Sequence, residues 1–152
     1  MRAARPSGAI PALQSWTNSL AGVQSFGSGC GSPVYSQAVT GLPRIGTTVT
    51  YRGNSGFASS LAVLGIGFSS TVANGNPLPM SLVPFGSAAG CFATNDILIN
   101  QTTVASVTGL ASFNVSLPNN TGFLGVEYLT QCYSFGPSSF RTTNSYRSIG
   151  GL

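Results

Sequence analysis

The sequence predicts an all-β protein: an antiparallel β-sandwich of the immunoglobulin-like kind, with seven to eight strands and an N-terminal arm. From about residue 33 onward, short segments with alternating polarity or many β-branched residues follow one another along the chain. Clusters of Gly, Pro, Asn and Ser separate these segments, and no apolar pattern of helical period lies between them. The chain of 152 residues has the length of one domain.

Six segments are predicted as strands, and two shorter segments are weaker candidates. The six segments are 47–53, 60–68, 96–104, 111–117, 125–135 and 144–149, and the weaker candidates are 34–39 and 91–94. In the segment 111–117, Phe113, Val115 and Leu117 fall on one face and polar residues on the other, as in a sheet with one hydrated side. The segment 60–68 is apolar on both faces, which predicts a central strand or one covered by the loop that follows.

The first 26 residues differ from the rest because their apolar residues have helical spacing. The stripe consists of Leu13, Trp16, Leu20 and Val23. It is typical of a short helix, although an extended arm fits the segment as well. Two places are open to Trp16, the only tryptophan: against its own sandwich, or on a neighbouring subunit.

Catalysis is not expected from this composition. The chain contains no histidine and no lysine, and its only carboxylates are Asp96 and Glu127. A nucleophile activated by histidine is therefore impossible, and a glycosidase pair would have to combine two carboxylates from different strands. No set of residues has the spacing of a metal site, so neither a metal nor another cofactor is expected.

The positive charges do not indicate a nucleic-acid or membrane partner. The six basic residues are all arginines, and they are scattered along the chain with two of them in the first five residues. A nucleic-acid surface would need a basic stripe, which is absent from the sequence. No apolar run approaches the roughly 20 residues of a membrane-spanning helix.

Three cysteines allow three alternative single bridges with one thiol left over. Cys30 and Cys91 both lie in Gly/Ser-rich turns, which a bridge can reach, whereas Cys132 lies within a predicted strand. We therefore favour a Cys30–Cys91 disulfide with Cys132 reduced and buried. An exported protein would oxidise such a pair, so the expected location is extracellular or at the cell surface.

Several motifs, taken in order, resemble those of a known module. They are FGSGCGSP (26–33), GLPRIGTTVT (41–50), AVLGIGFSS (62–70), NPLPMSLVPFGSAAGC (76–91), GLASFNVSLPNNTGFLGVEYLTQC (109–132) and TTNSYRSIGG (142–151). This series is similar to a Gly-Cys β-sandwich module found at the C-terminus of large secreted or surface proteins of planctomycetes and related bacteria. Phe26 replaces the tyrosine of that module, and Cys132 stands near its usual Gln-Trp.

The resemblance implies an extracellular β-sandwich without assigned catalysis, over residues 25–152, preceded by an arm over residues 1–24. It also accounts for the uncharged stretch 74–91, which contains three prolines and three glycines. Proline cannot donate to a strand ladder, so this stretch is expected to cross over the sandwich and to be pinned at its end by Cys91. The side chains expected to face inward are Leu78, Met80, Leu82, Val83 and Phe85. A ligand groove is the alternative use of this stretch.

These observations favour a non-enzymatic extracellular structural module that acts by self-assembly, as a surface filament or sheath subunit, or by attachment to the cell surface. The expected homo-oligomer or polymer contact is the arm, with the anchors Ile10, Leu13, Trp16 and Leu20. The alternative is a carbohydrate-binding module that recognises a surface glycan. Its stacking platforms would be drawn from Tyr35, Tyr51, Tyr128, Tyr133 and Tyr146.

Overall fold

The computed structural model describes residues 20–152. Within this range the strands are β1 (Gly22–Phe26), β2 (Ser36–Thr40), β3 (Thr48–Asn54), β4 (Leu61–Gly67), β5 (Val72–Ala73), β6 (Asn76–Pro77), β7 (Met80–Ser81), β8 (Phe92–Ala93), β9 (Ile99–Val104), β10 (Ala111–Ser116), β11 (Glu127–Phe135) and β12 (Phe140–Ile149). Two short 3-10 turns occupy Val83–Phe85 and Thr121–Phe123.

Eight of these strands form two antiparallel sheets. One sheet has five strands in the order β1-β12-β11-β4-β9, and the other has three strands in the order β10-β3-β2. The chain changes sheet four times, between β1 and β2, between β3 and β4, between β9 and β10 and between β10 and β11. The predicted β-sandwich is confirmed, and all six segments predicted as strands overlap a strand of the two sheets.

The edge strand β1 was not predicted. Gly22–Phe26 pairs along its whole length with the last half of β12, from Ile149 back to Ser145. Val23, the last member of the helical stripe, is therefore extended, and the boundary expected between Gln24 and Ser25 falls inside a strand. A partner more than a hundred residues away supplies the backbone hydrogen bonds, which the local apolar spacing cannot reveal.

The main core lies between the two sheets. Its buried side chains include Val49, Leu64 and Phe113. The alternation predicted for 111–117 is confirmed, because Phe113 and Leu117 are buried while Asn114 is exposed and accepts a hydrogen bond from Thr50 Oγ1 at 2.9 Å. The three-stranded sheet therefore has one buried and one hydrated face.

The stretch 74–91 was expected to cross over the sandwich. Residues 78–93 cover the outer face of the five-stranded sheet, and we call them the cover. Leu82 packs there with the disulfide and Tyr133, and Leu78 and Met80 are partly buried beside them. Val83 and Phe85 were expected to face inward, and this prediction is wrong: their side chains are 50% and 66% exposed. Both belong to the 3-10 turn Val83–Phe85, in which no residue is buried.

A disulfide joins this cover to the rest of the sandwich. Cys30 and Cys91 are bridged across a sequence separation of 61, as predicted, and their Cα atoms lie 5.1 Å apart. The backbone N–H of Cys30 donates to the carbonyl of Thr142 on β12 at 3.0 Å. The far end of the cover is thus tied to the sheet that it covers. Cys132 is free and buried, also as predicted.

Candidate functional site

The two carboxylates have local structural partners. One oxygen of Asp96 accepts hydrogen bonds from the backbone N–H groups of Phe68 and Ser69 at 2.7 and 2.6 Å. Glu127 Oε1 lies 3.0 Å from Arg147 Nε, in an ion pair that is close to half exposed. Among residues 20–152, no group of three or more His, Cys, Asp or Glu side chains is placed to hold a metal ion. The same residues contain no helix long and apolar enough to cross a membrane.

Four of the five tyrosines expected to stack on sugars are buried. Tyr35 and Tyr51 are fully buried, and Tyr128 and Tyr133 are only 7% and 6% exposed. These four therefore offer no platform to a ligand, which corrects the prediction; Tyr146 is half-buried. Tyr51 instead donates to Tyr128 Oη at 2.9 Å. Because β3 and β11 belong to different sheets, this bond fastens the two sheets together, and burial raises the pKa of both phenols.

Gln131 is the residue that fastens the cover to the outer face. Its side-chain nitrogen donates to the carbonyls of Phe92 and Thr143, both at 2.8 Å. Its side-chain oxygen accepts from the backbone N–H of Thr94 at 3.2 Å and from the hydroxyl of Tyr133 at 3.0 Å. All four hydrogen-bonding positions of the amide are used. Sequence reasoning missed this role, because a glutamine in a strand reads as a hydrated residue.

An apolar groove opens at one end of the sandwich, between the two sheets. Its walls come from β4, β9, β10 and the start of β11, and its volume is about 200 Å³. We call it the end groove, and its main side chains are Ile66, Phe68, Ile99, Val115, Phe123 and Tyr128. None of the described residues that line it is charged. Phe68 and Ile99 at its rim are 51% and 53% exposed, so the groove is accessible from solvent.

The chain enters the sandwich at the same end as this groove. Gly22 lies opposite Ile149, which also faces Glu127 at the start of β11. Leu129, two residues further along β11, faces Gly67 at the end of β4, and Ile66 faces Ile99. The start of β1 and the start of β9 thus lie at one end of the five-stranded sheet. Four strand spacings separate them, a distance of about 19 Å.

The edge strand β9 exposes large apolar side chains. Among residues 20–152 it pairs with β4 alone, on one side. Val104 is 69% exposed, and Leu98, just before the strand, is 65% exposed. A hydrogen bond from Gln101 Nε2 to the carbonyl of Asn114, 3.1 Å long, spans the gap to β10. An exposed apolar edge of this kind is a surface on which another chain can pair.

A second concavity lies between the cover and the outer face of the five-stranded sheet. We call it the outer pocket; it has a volume of about 360 Å³. Asn74, Asn95 and Asn100 place amide groups in its lining, and Phe135 and Phe140 place rings there. Asn95 is only 1% exposed, and its Oδ1 has no hydrogen-bond partner among the described residues.

Three of the four predicted assembly anchors, Ile10, Leu13 and Trp16, lie outside the described residues. The fourth, Leu20, is 65% exposed. The backbone of Leu20 and Ala21 passes so close to Gly151 that a side chain there would collide with it. Leu20 and Ala21, which directly precede β1, therefore lie at the end of the sandwich that carries the end groove.

Comparison of the chain with models of protein families, with curated proteins and with solved structures found no match. The resemblance to the module of planctomycete surface proteins therefore stays a prediction.

Proposed function

We propose that this protein is a non-enzymatic, extracellular structural subunit that associates with further copies of itself through its N-terminal arm. The observation that carries the proposal is the open side of the sandwich, where the β9 edge and the end groove lie together. The outer face of the five-stranded sheet has a cover. The β9 side has none among the described residues, and Leu98, Ile99 and Val104 remain more than half exposed there.

The composition of the chain favours association of copies over a dispersed monomer in solution. Only 5% of the residues are charged, so copies of the protein repel one another weakly. The disulfide suits an oxidising extracellular compartment. A contact between the arm of one copy and the β9 side of the next joins two different surfaces, and such contacts extend into a filament or sheath when they do not close into a ring. Anchored at one end, the same assembly would attach to a cell surface.

Sedimentation velocity of the full chain over a wide range of concentrations tests this proposal, with negative-stain microscopy to show the form of the assembly. The expected result is a mass that rises with concentration. Removal of residues 1–19 spares all of β1 and should leave a folded monomer. A full chain that stays monomeric at every concentration contradicts the proposal.

Charged substitutions at the β9 edge add a matched control. Leu98→Lys places a charge beside the exposed start of β9, at the end of the sheet that carries the end groove, and we expect it to raise the concentration needed for assembly roughly tenfold. Val83→Lys, in the 3-10 turn of the cover, changes an exposed valine away from the edge and should have no effect. Equal effects of the two substitutions would show that the β9 edge is not involved.

A second candidate function is the binding of a sugar residue in the outer pocket. The observation that favours it is the unpartnered Oδ1 of Asn95 in a lining that combines amides with the rings of Phe135 and Phe140. Amides bind hydroxyl groups, and aromatic rings pack on the apolar face of a pyranose. The binding site would then be this pocket rather than the buried tyrosines.

A glycan array probed with the full chain tests the second candidate. Saturable binding by the monomer should be lost in Asn100→Ala, at the rim of the outer pocket. Asn114→Ala, an exposed asparagine on the other sheet, is the matched control and should bind as the unmodified chain does. If no glycan binds, or if both variants bind equally well, the pocket is not a sugar site.

A further inference from the structure

We infer that the end groove is the docking site of the arm, and that the segment it binds lies within residues 8–19. The inference rests on the proposed function in one respect only, namely that the arm comes from another copy of the protein. The groove itself is a separate claim, because an arm could also dock on its own sandwich.

The chemistry of the groove matches one part of the arm. The groove is lined by apolar side chains and carries no charge. Residues 6–19 of the arm also carry no charge, and they include Ile10, Leu13 and Trp16. Arg2 and Arg5 lie before this stretch. An uncharged groove admits the apolar stretch and excludes the two guanidinium groups, whose transfer out of water would be costly.

The length of the arm suits the position of the groove. The described chain begins at Leu20, at the end of the sandwich where the groove opens. About 19 Å separate β1 from β9 across the sheet. Trp16 lies four residues before Leu20 and Leu13 lies seven before it, which are extended spans of roughly 13 and 23 Å. The nearest wall of the groove is the start of β11, two strand spacings or roughly 10 Å from β1, so both side chains can reach the groove of the same copy or that of an adjacent one.

The rim of the groove provides anchoring surface for a large side chain. Phe68 and Phe123 both line the groove, and they are 51% and 38% exposed. Ile66 and Tyr128, which line the same groove, are each only 7% exposed. An indole that packs against these rings gains both apolar burial and contacts between aromatic rings. Trp16 is therefore the side chain that we assign to the groove.

The fluorescence of Trp16 tests the inference directly, since the chain has no other tryptophan. Its emission maximum and its quenching by acrylamide are measured in the full chain, below and above the concentration at which assembly begins. Two groove variants, Phe68→Ser and Phe123→Ser, are compared with Phe85→Ser. Phe85 is an exposed phenylalanine of the cover, outside the groove. Circular dichroism confirms that each variant is folded.

We expect acrylamide to quench Trp16 several-fold more strongly in both groove variants, with an emission maximum shifted to the red. The unmodified chain and Phe85→Ser should show the same shielded indole. Equal quenching in all four proteins overturns the inference, as does an indole that is exposed in the unmodified chain at every concentration.

The same measurements separate this inference from the proposed function. Shielding that appears only above the onset of assembly, and that the groove variants abolish, supports both. Shielding in the dilute monomer that the groove variants abolish supports the groove and contradicts self-assembly through the arm. Assembly that proceeds with Trp16 equally shielded in the groove variants supports self-assembly and overturns the groove as the docking site.

Discussion

The outer faces of the two sheets differ in their exposure to solvent. On the three-stranded sheet the outer face is hydrated, and Thr48, Thr50, Asn114 and Ser116 form cross-strand hydrogen bonds there. On the five-stranded sheet the outer face is buried beneath residues 78–93 and the disulfide. The central strands of that sheet, β4 and β11, therefore need buried side chains on both faces.

The difference shows where the stability of the molecule depends on contacts between residues far apart in sequence. The hydrated face needs no partner, because hydroxyl and amide groups bond to one another and to water. The cover consists largely of irregular chain, and it stays in place through the disulfide, the amide of Gln131 and the packing of Leu82. Substitutions beneath the cover should therefore be more costly than substitutions on the hydrated face.

The largest effect is expected from removing the disulfide. Cys30→Ala combined with Cys91→Ala should lower the free energy of unfolding by about 4 kcal/mol, because the unfolded chain regains the freedom of a loop of about 60 residues. Urea unfolding measures the loss, and hydrogen exchange should show residues 78–93 opening before β3 and β10. Cys132→Ala keeps the bridge and is the control. Uniform opening of both outer faces would contradict the comparison.

A somewhat smaller effect is expected from Gln131→Leu, which removes four hydrogen bonds beneath the cover. The buried Thr94 N–H and the carbonyls of Phe92 and Thr143 would lose this partner, at about 3 kcal/mol in total. Thr50→Val on the hydrated face removes one exposed hydroxyl and should change the free energy of unfolding by less than about 0.5 kcal/mol. Similar losses in the two variants, measured by urea unfolding, would show that Gln131 does not fasten the cover.

Within the cover, Leu82→Ala should lower the free energy of unfolding by about 2 kcal/mol, because Leu82 is only 8% exposed and packs with the disulfide and Tyr133. Phe85→Ala, three residues further along, should cost less than about 0.5 kcal/mol, since Phe85 is mostly exposed. Thermal or urea unfolding of the two variants measures the difference. A larger loss for Phe85→Ala would mean that the cover packs through its other side.

The smallest effect concerns alkaline stability. Burial, and to a lesser degree the neighbouring Cys132 thiol, raises the pKa of Tyr133. The folded state keeps this proton at a pH at which the unfolded chain, with a tyrosine pKa of about 10, loses it. The stabilisation is complete below pH 10 and falls by about 1.4 kcal/mol per pH unit above it. Urea unfolding between pH 9 and 11 gives the free energy of unfolding as a function of pH. Above pH 10 this free energy should fall less steeply in Tyr133→Phe, by about 1.4 kcal/mol per pH unit.

An unchanged slope in Tyr133→Phe would mean that this phenol ionises equally in both states, and hence that the cover does not shield it. The other buried tyrosines, Tyr35 and Tyr51, remain as an internal reference, because burial raises their pKa values too. The decline in the free energy of unfolding that these two tyrosines cause above pH 10 should persist in the variant.

The sequence by itself determined the features that local patterns encode. Alternation in 111–117 predicted a strand with one hydrated face, and the two-sided apolar pattern of 60–68 predicted a covered or central strand; both are confirmed. Glycine-rich turns around Cys30 and Cys91 predicted the disulfide. These features follow from the period of two residues in a strand and from backbone freedom in turns, which act over a few residues.

The tertiary structure alone decided the features that depend on distant partners. Strand β1 forms because Gly22–Phe26 pairs with the edge of β12, and no local sequence pattern predicts that pairing. Tyr51 and Tyr128 are buried because the two sheets pack face to face. Gln131 holds the cover because that loop crosses directly above it. The end groove lies where strands from both sheets meet around the entry of the chain. Burial and edge exposure are properties of packed surfaces, so they are settled only when segments far apart in sequence come together.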